Sequence, residues 1–374
     1  MAIYFPENRI PEKARVNRFA RIPIISLALL KTLLGKNVMG VNDAVDDFHW
    51  QTDITKHYKL LWLKLKLVYY RYAYEFMFDE FANFGFENKS KKECLEYISS
   101  FERIRLLNEL YVDTEEWQIF ANKDRTYNHY ANFFKRDVIC IYGLEDLVKY
   151  SEFVKKHSKF IVKPIKENNG RGIFIVDLKK DNLKAMDVFN RCLSINGVLV
   201  EEYINQTIEL SKIFPNSVNT VRFVTYYSDG NLTNIAAFLR VGMGNSVVDN
   251  AASGGLFAGI DISSGRIITD GYKKTVNDIY EYHPDTNIKF KGFKLPEWNK
   301  LLNLIEDIVK VCPKQKFVGW DFAHGENGWM LVEANGGPGL VALQISSQKG
   351  LRPIFSKTIF LDSKNASEYI SAKL

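Results

Sequence analysis

Two carboxylates and an amide near the end of the chain have the residue types and spacing of a metal site. Asp321 lies in Trp320-Asp321-Phe322, and Glu333 and Asn335 lie in Leu331-Val332-Glu333-Ala334-Asn335, on either side of His324-Gly325-Glu326-Asn327-Gly328. The two segments read as strands of a hairpin, and a loop over 325–329 sets Asp321 opposite Glu333. Alternate residues of a strand share a face, so Asn335 projects with Glu333 toward Asp321. Two carboxylates and an amide oxygen are hard ligands that suit Mg²⁺. The plain alternative is a pair of acids balanced by nearby bases on a solvated strand. Gly336-Gly337-Pro338-Gly339 follows at once and suits close approach of the backbone to a ligand.

Cations placed among apolar neighbours form a second set. Lys163 closes Phe160-Ile161-Val162-Lys163-Pro164, Arg222 lies within Asn219-Thr220-Val221-Arg222-Phe223, and Arg240 within Phe238-Leu239-Arg240-Val241. Turned inward, each would need an anion such as a phosphate; turned outward, each is simply solvated. Between two predicted strands, Lys166-Glu167-Asn168-Asn169-Gly170-Arg171-Gly172 is a glycine-bearing hairpin loop that can bring backbone N–H groups to phosphate oxygens, although any hairpin can turn on Asn and Gly. It is neither a P-loop nor a Rossmann fingerprint. Val198-Leu199-Val200-Glu201-Glu202-Tyr203-Ile204 runs from an apolar strand into paired acids, with Glu209 beyond. These acids can accept from ribose hydroxyls or an adenine amino group, or can mark a solvated strand end.

The elements that must position these groups follow from hydrophobic period. Strands are expected at 160–164, 172–177, 198–203, 220–227, 234–241, 316–322 and 329–334. Trp298, Leu301, Leu302, Ile305, Ile308 and Val309 predict a helix over 296–311. Residues 1–115 read as helical and aromatic, with one long helix over Leu60–Phe81, although Leu61 to Leu67 alternates as a strand would. Antiparallel strand pairs mixed with helices indicate an α+β fold. With 26 Phe, 19 Tyr and 6 Trp the chain cannot stay solvated, so wholesale disorder is excluded. A net charge of +6 is small for 374 residues and argues against a nucleic-acid binder. Four scattered cysteines without zinc spacing suit a reduced, cytoplasmic protein. Most of the net positive charge falls in residues 1–40, where seven bases meet two acids; this stretch can meet a membrane surface or an anionic glycan, or can simply pack on the protein with the bases solvated.

In order along the chain, a strand lysine, glycine hairpin, acidic hinge, strand arginine, Asp and E-x-N resemble the ATP-grasp superfamily. The stretch Ser217–Arg222, with Arg240, Ser246–Asn250 and Ser253-Gly254-Gly255, is similar to the sugar-transfer-associated branch, found near genes for surface polysaccharides. The resemblance implies two α+β subdomains that clamp ATP, and a domain order of 1–115 (helical), 116–205 (lid and first subdomain) and 206–374 (second subdomain with the metal site). It further implies that Lys123 and Lys163 contact nucleotide and that Asn169, Gly170, Arg171 and Gly172 cover the phosphates. Glu201, Glu202, Tyr203 and Ile204 would hold adenine and Glu209 ribose. Arg222, Arg240 and Asn250 would serve the transfer, and Asp321, Glu333 and Asn335 would hold Mg²⁺ or Mn²⁺. The activity so implied is an ATP-dependent carboxylate–amine ligase working through an acyl phosphate on a small or glycan-linked carboxylate. The alternatives are a phosphotransferase on the same fold or a non-catalytic nucleotide-binding protein. A cytoplasmic, peripherally membrane-bound location is expected. ATP-grasp enzymes usually begin with a βαβ domain, and residues 1–115 depart from it.

Overall fold

The computed structural model describes residues 21–47, 57–111, 116–167, 171–246, 249, 254–273 and 278–363. The chain groups into two compact units: Met1–Val112 with Lys274–Ile279 and Gly339–Leu374, and Asp113–Lys273 with Tyr280–Pro338.

The first unit is helical among its described residues: α1 (Ile22–Leu33), α2 (Val41–Asp47), α3 (His57–Tyr74), α4 (Phe78–Asn83), α5 (Lys91–Leu95) and α6 (Ser100–Tyr111), joined by two later helices, Val341–Ser347 and Arg352–Phe355. Its centre is aromatic. Phe84 stacks 4.7 Å from Tyr97, and Phe86 meets Phe76 edge-on at 4.9 Å, the offset geometries aromatic rings prefer. The long helix expected over Leu60–Phe81 is instead two. Glu75 takes a left-handed φ of 61°, and its buried carboxylate is held by Arg105 at 2.6 Å and Arg21 at 3.5 Å. A tertiary ion pair therefore overrides local helix propensity. The tail, expected to continue the second subdomain, groups with the helical unit for a similar reason. The Gln344 amide exchanges hydrogen bonds with the backbone of Ile98 at 2.8 and 3.0 Å, and Arg352 reaches Glu102 at 2.6 Å.

Two antiparallel sheets make up the second unit. The smaller has the order β1-β4-β2-β3, from Val138–Ile141, Val198–Glu202, Lys159–Pro164 and Phe174–Asp177. Tyr150 and Phe153 of α9 (Leu147–Lys156) and Val188 and Phe189 of α10 (Ala185–Leu193) share its apolar cluster with Phe160, Val162 and Val200. β2 pairs with β3 from Lys159↔Asp177 to Val162↔Phe174, so the glycine loop is the tip of a hairpin, as expected. The larger sheet runs β10-β9-β7-β6-β5-β11-β12, with β8 on β7, where β8 is Arg266–Ile267, β9 Gly271–Tyr272 and β10 Ile279–Tyr280. Its central members are β5 (Thr220–Ser228), β6 (Asn231–Val241), β7 (Leu256–Asp261), β11 (Phe317–Gly325) and β12 (Gly328–Asn335). The amphipathic helix α12 (Trp298–Ile308) buries Trp298, Leu301, Ile305 and Ile308 in the same cluster as Phe223, Trp320 and Trp329. This α+β arrangement is the one expected, with strand boundaries within a few residues.

The β11–β12 turn is tighter than expected. Gly325 pairs with Gly328, leaving Glu326 and Asn327 as the turn, and Gly328 takes φ 76°. That loop alone would put the pairing one residue out of step. A bulge between Asp321 and Phe322 takes up Val332 and restores Asp321↔Glu333.

Candidate functional site

β11 is buried along its whole length between β5 and β12, so Asp321, in its middle, has no exposed surface. Arg222 is its register partner on β5, and Glu333 its partner on β12. Arg240 comes from β6, opposite Thr220. A carboxylate placed there needs compensating charge. Arg222 grips it with two parallel hydrogen bonds, one from Nε and one from Nη2 at 2.8 Å, and Arg240 Nη2 lies 3.1 Å from Oδ2. Burial opposes ionisation of Asp321, but the two guanidiniums outweigh it and hold the carboxyl below its ordinary range.

Asp249, not singled out by spacing, completes this cluster. It is 7% exposed, lies 3.4 Å from Arg240 Nη2 and accepts from the backbone N–H of Thr220 at 2.9 Å and from the Thr220 hydroxyl. Arg240 Nε in turn donates to that hydroxyl at 2.9 Å. Here burial prevails over Arg240 and the Thr220 hydrogen bonds, and the carboxyl is pushed up. Only the folded chain joins Asp249 to Thr220, because the contact spans 29 positions.

On the smaller sheet, Lys163 faces Glu201 at 2.9 Å, and Arg136 Nε donates to the same carboxylate at 3.1 Å. Arg136 also donates to the Leu331 carbonyl of β12 at 2.6 Å, so one guanidinium joins the two sheets. Glu201 is 2% exposed. Burial alone would raise its carboxyl, yet Lys163 and Arg136 hold it low. It therefore acts as the counter-ion of Lys163 in this structure, where an adenine contact was expected. Arg136 precedes β1 without a motif, and its sequence context offers no sign of the role. Glu202 accepts from the Asp137 N–H at 3.1 Å.

Lys123 opens α8 (Lys123–Phe134) and donates to the Glu167 carbonyl. Burial lowers its ammonium pKa, against the fields of Glu333 and Glu201 and together with that of Lys163, which gathers these four charged groups in one neighbourhood. Lys159 sits 3.5 Å over the Tyr203 ring. Ile204 is half-buried beside Gly325. Arg171 and Glu209 are exposed and make no hydrogen bond or ion pair among the described residues, and Asn169, Gly170 and Asn250 lie outside those residues.

Glu333 is half-buried and, among the described residues, has no ion-pair partner. Asn335 keeps a buried amide nitrogen without a partner, and amide N and O are interchangeable by a flip. Two carboxylates and an unengaged amide fit a hard divalent cation. The described residues hold no cluster of three His, Cys, Asp or Glu, so an amide is needed as the third donor. The glycine run after β12 behaves otherwise than expected at Gly336, where a Cβ would meet Gln315 at 2.9 Å and Phe120 at 3.0 Å. The close approach there is to the chain itself. A cavity of about 540 Å³ at the β11–β12 turn is lined by none of the expected site residues.

A strand lysine with a buried acid, and an arginine-clamped aspartate facing E-x-N on the larger of two antiparallel sheets, define an ATP-grasp protein. Residues 107–359 match the family model described as sugar-transfer-associated ATP-grasp, and the chain belongs to that family. No curated protein matches it. Among solved structures it is similar to D-alanyl-alanine synthetase A from Vibrio cholerae at 12% identity and a TM-score of 0.38, over 62% of this chain and 60% of that one. It is also similar to the ATP-complexed D-alanine–D-alanine ligase from Bacillus anthracis at 14% and 0.40, over 65% and 67%. An L-amino acid ligase from Bacillus licheniformis matches at 13% and 0.38, over 61% and 43%. The chain thus spans about 60% of the synthetase and less than half of the amino acid ligase.

Proposed function

We propose that the protein is a Mg-ATP-dependent ligase that joins a carboxylate to an amine through an acyl phosphate. The observation that carries this reading is Asp321, fully buried and clamped by Arg222 and Arg240 on one side while facing Glu333 and Asn335 across the ladder. A carboxylate oxygen would attack the γ-phosphorus as ADP leaves, and the amine would then attack the acyl carbon as phosphate leaves. Such a transfer needs positive charge around the moving phosphoryl group more than it needs a protein nucleophile. Arg222 and Arg240 supply it, and Lys163 and Lys123 neutralise the remaining phosphates. Asp321, Glu333 and Asn335 would hold Mg²⁺, which adds further charge neutralisation when bound. The hairpin tip at Arg171 and Gly172 would exclude water and protect the acyl phosphate. The family description favours a sugar acid or glycan-linked carboxylate. A cytoplasmic location is part of this proposal, supported by the scattered spacing of the four cysteines in the sequence.

Incubation of the protein with Mg-ATP, hydroxylamine and pools of uronic and amino acids tests the reading. Carboxylate-dependent ADP with a hydroxamate product is expected. AMP would replace acyl phosphate with adenylate chemistry, and ADP with a stable phosphorylated product would make the protein a phosphotransferase.

A further inference from the structure

One helix of the first unit keeps a face that its own fold leaves uncovered. α1 buries Ala28 and Thr32 and packs against α3, while Ile22, Leu27, Leu30, Leu33 and Leu34 stand 51% to 69% exposed. At helical spacing these five side chains, with Pro23 and Ser26, fill one arc of about 140°. A contiguous aliphatic surface of that kind marks a place of interaction. On α3, Tyr58 and Trp62 are also exposed, at 65% and 64%. Both residue types favour the level of lipid headgroups.

Charge identifies the partner. Between Glu12 and Asp43 the sequence carries six basic residues and no acidic one; Lys31 and Lys36 are exposed at and just beyond the end of α1, Arg21 pairs with Glu75, and Lys13, Arg15 and Arg18 lie outside the described residues. Two copies of this chain brought together by the same face would also bring these like charges together. An apolar face flanked by bases suits an anionic lipid surface. With 12 residues α1 is roughly 18 Å long, short of the ~30 Å of a bilayer core. Among the described residues no single helix is long and apolar enough to cross. α1 with Val38–Asp46 passes on length and composition across a bend of 86°, but Val41, Ala44 and Val45 are already buried within the protein.

We propose that the Ile22–Leu34 face of α1 docks the protein on an anionic membrane, lying in the interface without crossing it. The full chain should sediment with phosphatidylcholine vesicles containing phosphatidylglycerol, much less with phosphatidylcholine alone, and less in high salt. Leu27→Ser/Leu30→Ser/Leu33→Ser should lower partitioning by more than about tenfold while leaving the melting temperature in place, since all three side chains are exposed. Lys31→Glu/Lys36→Glu should weaken binding to anionic vesicles alone. Equal sedimentation with both vesicles, or full binding by the triple variant, would overturn the proposal. So would a dimer that the triple variant dissociates without any vesicle binding, or resistance of the membrane-bound protein to alkaline carbonate. None of these readouts depends on the enzymatic reading.

Discussion

Asp321 and Glu333 oppose each other on one rung of the ladder, yet their surroundings predict different responses to substitution. Asp321 neutralises two guanidiniums in a buried strand. Asp321→Asn leaves Arg222 without its carboxylate partner, while Arg240 keeps only Asp249, and should cost about 3–5 kcal/mol of stability along with activity, read by urea denaturation. Glu333 has no such structural partner among the described residues, so Glu333→Gln should abolish carboxylate-dependent ADP release with an unchanged melting temperature. Retained turnover in Glu333→Gln would remove the metal assignment. Asp249 is a positioning residue for Arg240 in this account. Asp249→Ala leaves the Thr220 N–H without its acceptor and should cost about 1–3 kcal/mol, whereas Asp249→Asn keeps an acceptor and should recover much of the stability but not kcat. The pH dependence has a definite sign. Asp321 and Glu201 are held below their ordinary range, so their contribution is present at neutral pH and disappears as pH falls below about 4. Asp249, and Glu80 of α4, which is buried and accepts from the Ser100 N–H at 2.6 Å, are both raised by burial and contribute in the opposite sense, losing stability as pH rises through their folded values. Urea midpoints measured from neutral pH down to about pH 3 should fall on the acid side, and Asp321→Asn should flatten that limb.

At the scale of elements, the site depends on register more than on any single contact. The short Glu326-Asn327 turn and the Val332 bulge offset each other by one residue, and together they place Glu333 across from Asp321. A one-residue slip exchanges the two faces of a strand. Inserting one residue between Val332 and Glu333 should therefore set Glu333 opposite Trp320, turn Glu333 and Asn335 away from Asp321 and eliminate activity, with the far-ultraviolet circular dichroism little changed. Packing beneath the sheet sets a second requirement. Ile305 of α12 is fully buried in the larger sheet's apolar cluster, and Ile305→Ala should cost about 2–5 kcal/mol, measurable as a lower urea midpoint.

At the scale of the whole molecule, the chain does not divide into consecutive segments. Residues 339–374 group with the helical first unit, and Arg352 neutralises the buried Glu102 there. Ending the chain after Pro338 should therefore destabilise the helical unit first, with protease cuts appearing within residues 57–111 before the two sheets are cleaved. Early cleavage in the sheets would contradict this. The proposed membrane docking through α1 belongs to this scale as well, because it concerns a surface of the folded unit and no residue assigned to the reaction.

Local pattern was enough for the α+β class, the β2–β3 hairpin and helix α12, because strand alternation and helical spacing are properties of neighbouring residues, whereas Asp321 meets Glu333 only because the Val332 bulge makes up for a turn shorter than the sequence suggested. The inward direction of Lys163, Arg222 and Arg240 was legible only as a choice between two faces, and the acids that meet them decided it. Asp249 and Arg136 were not legible, since each gains its role from partners 29 and 65 positions away. The break at Glu75 and the return of the tail to the first unit were likewise tertiary decisions. A buried charge must find its counter-ion wherever the fold brings one, and nothing in local sequence records that distance.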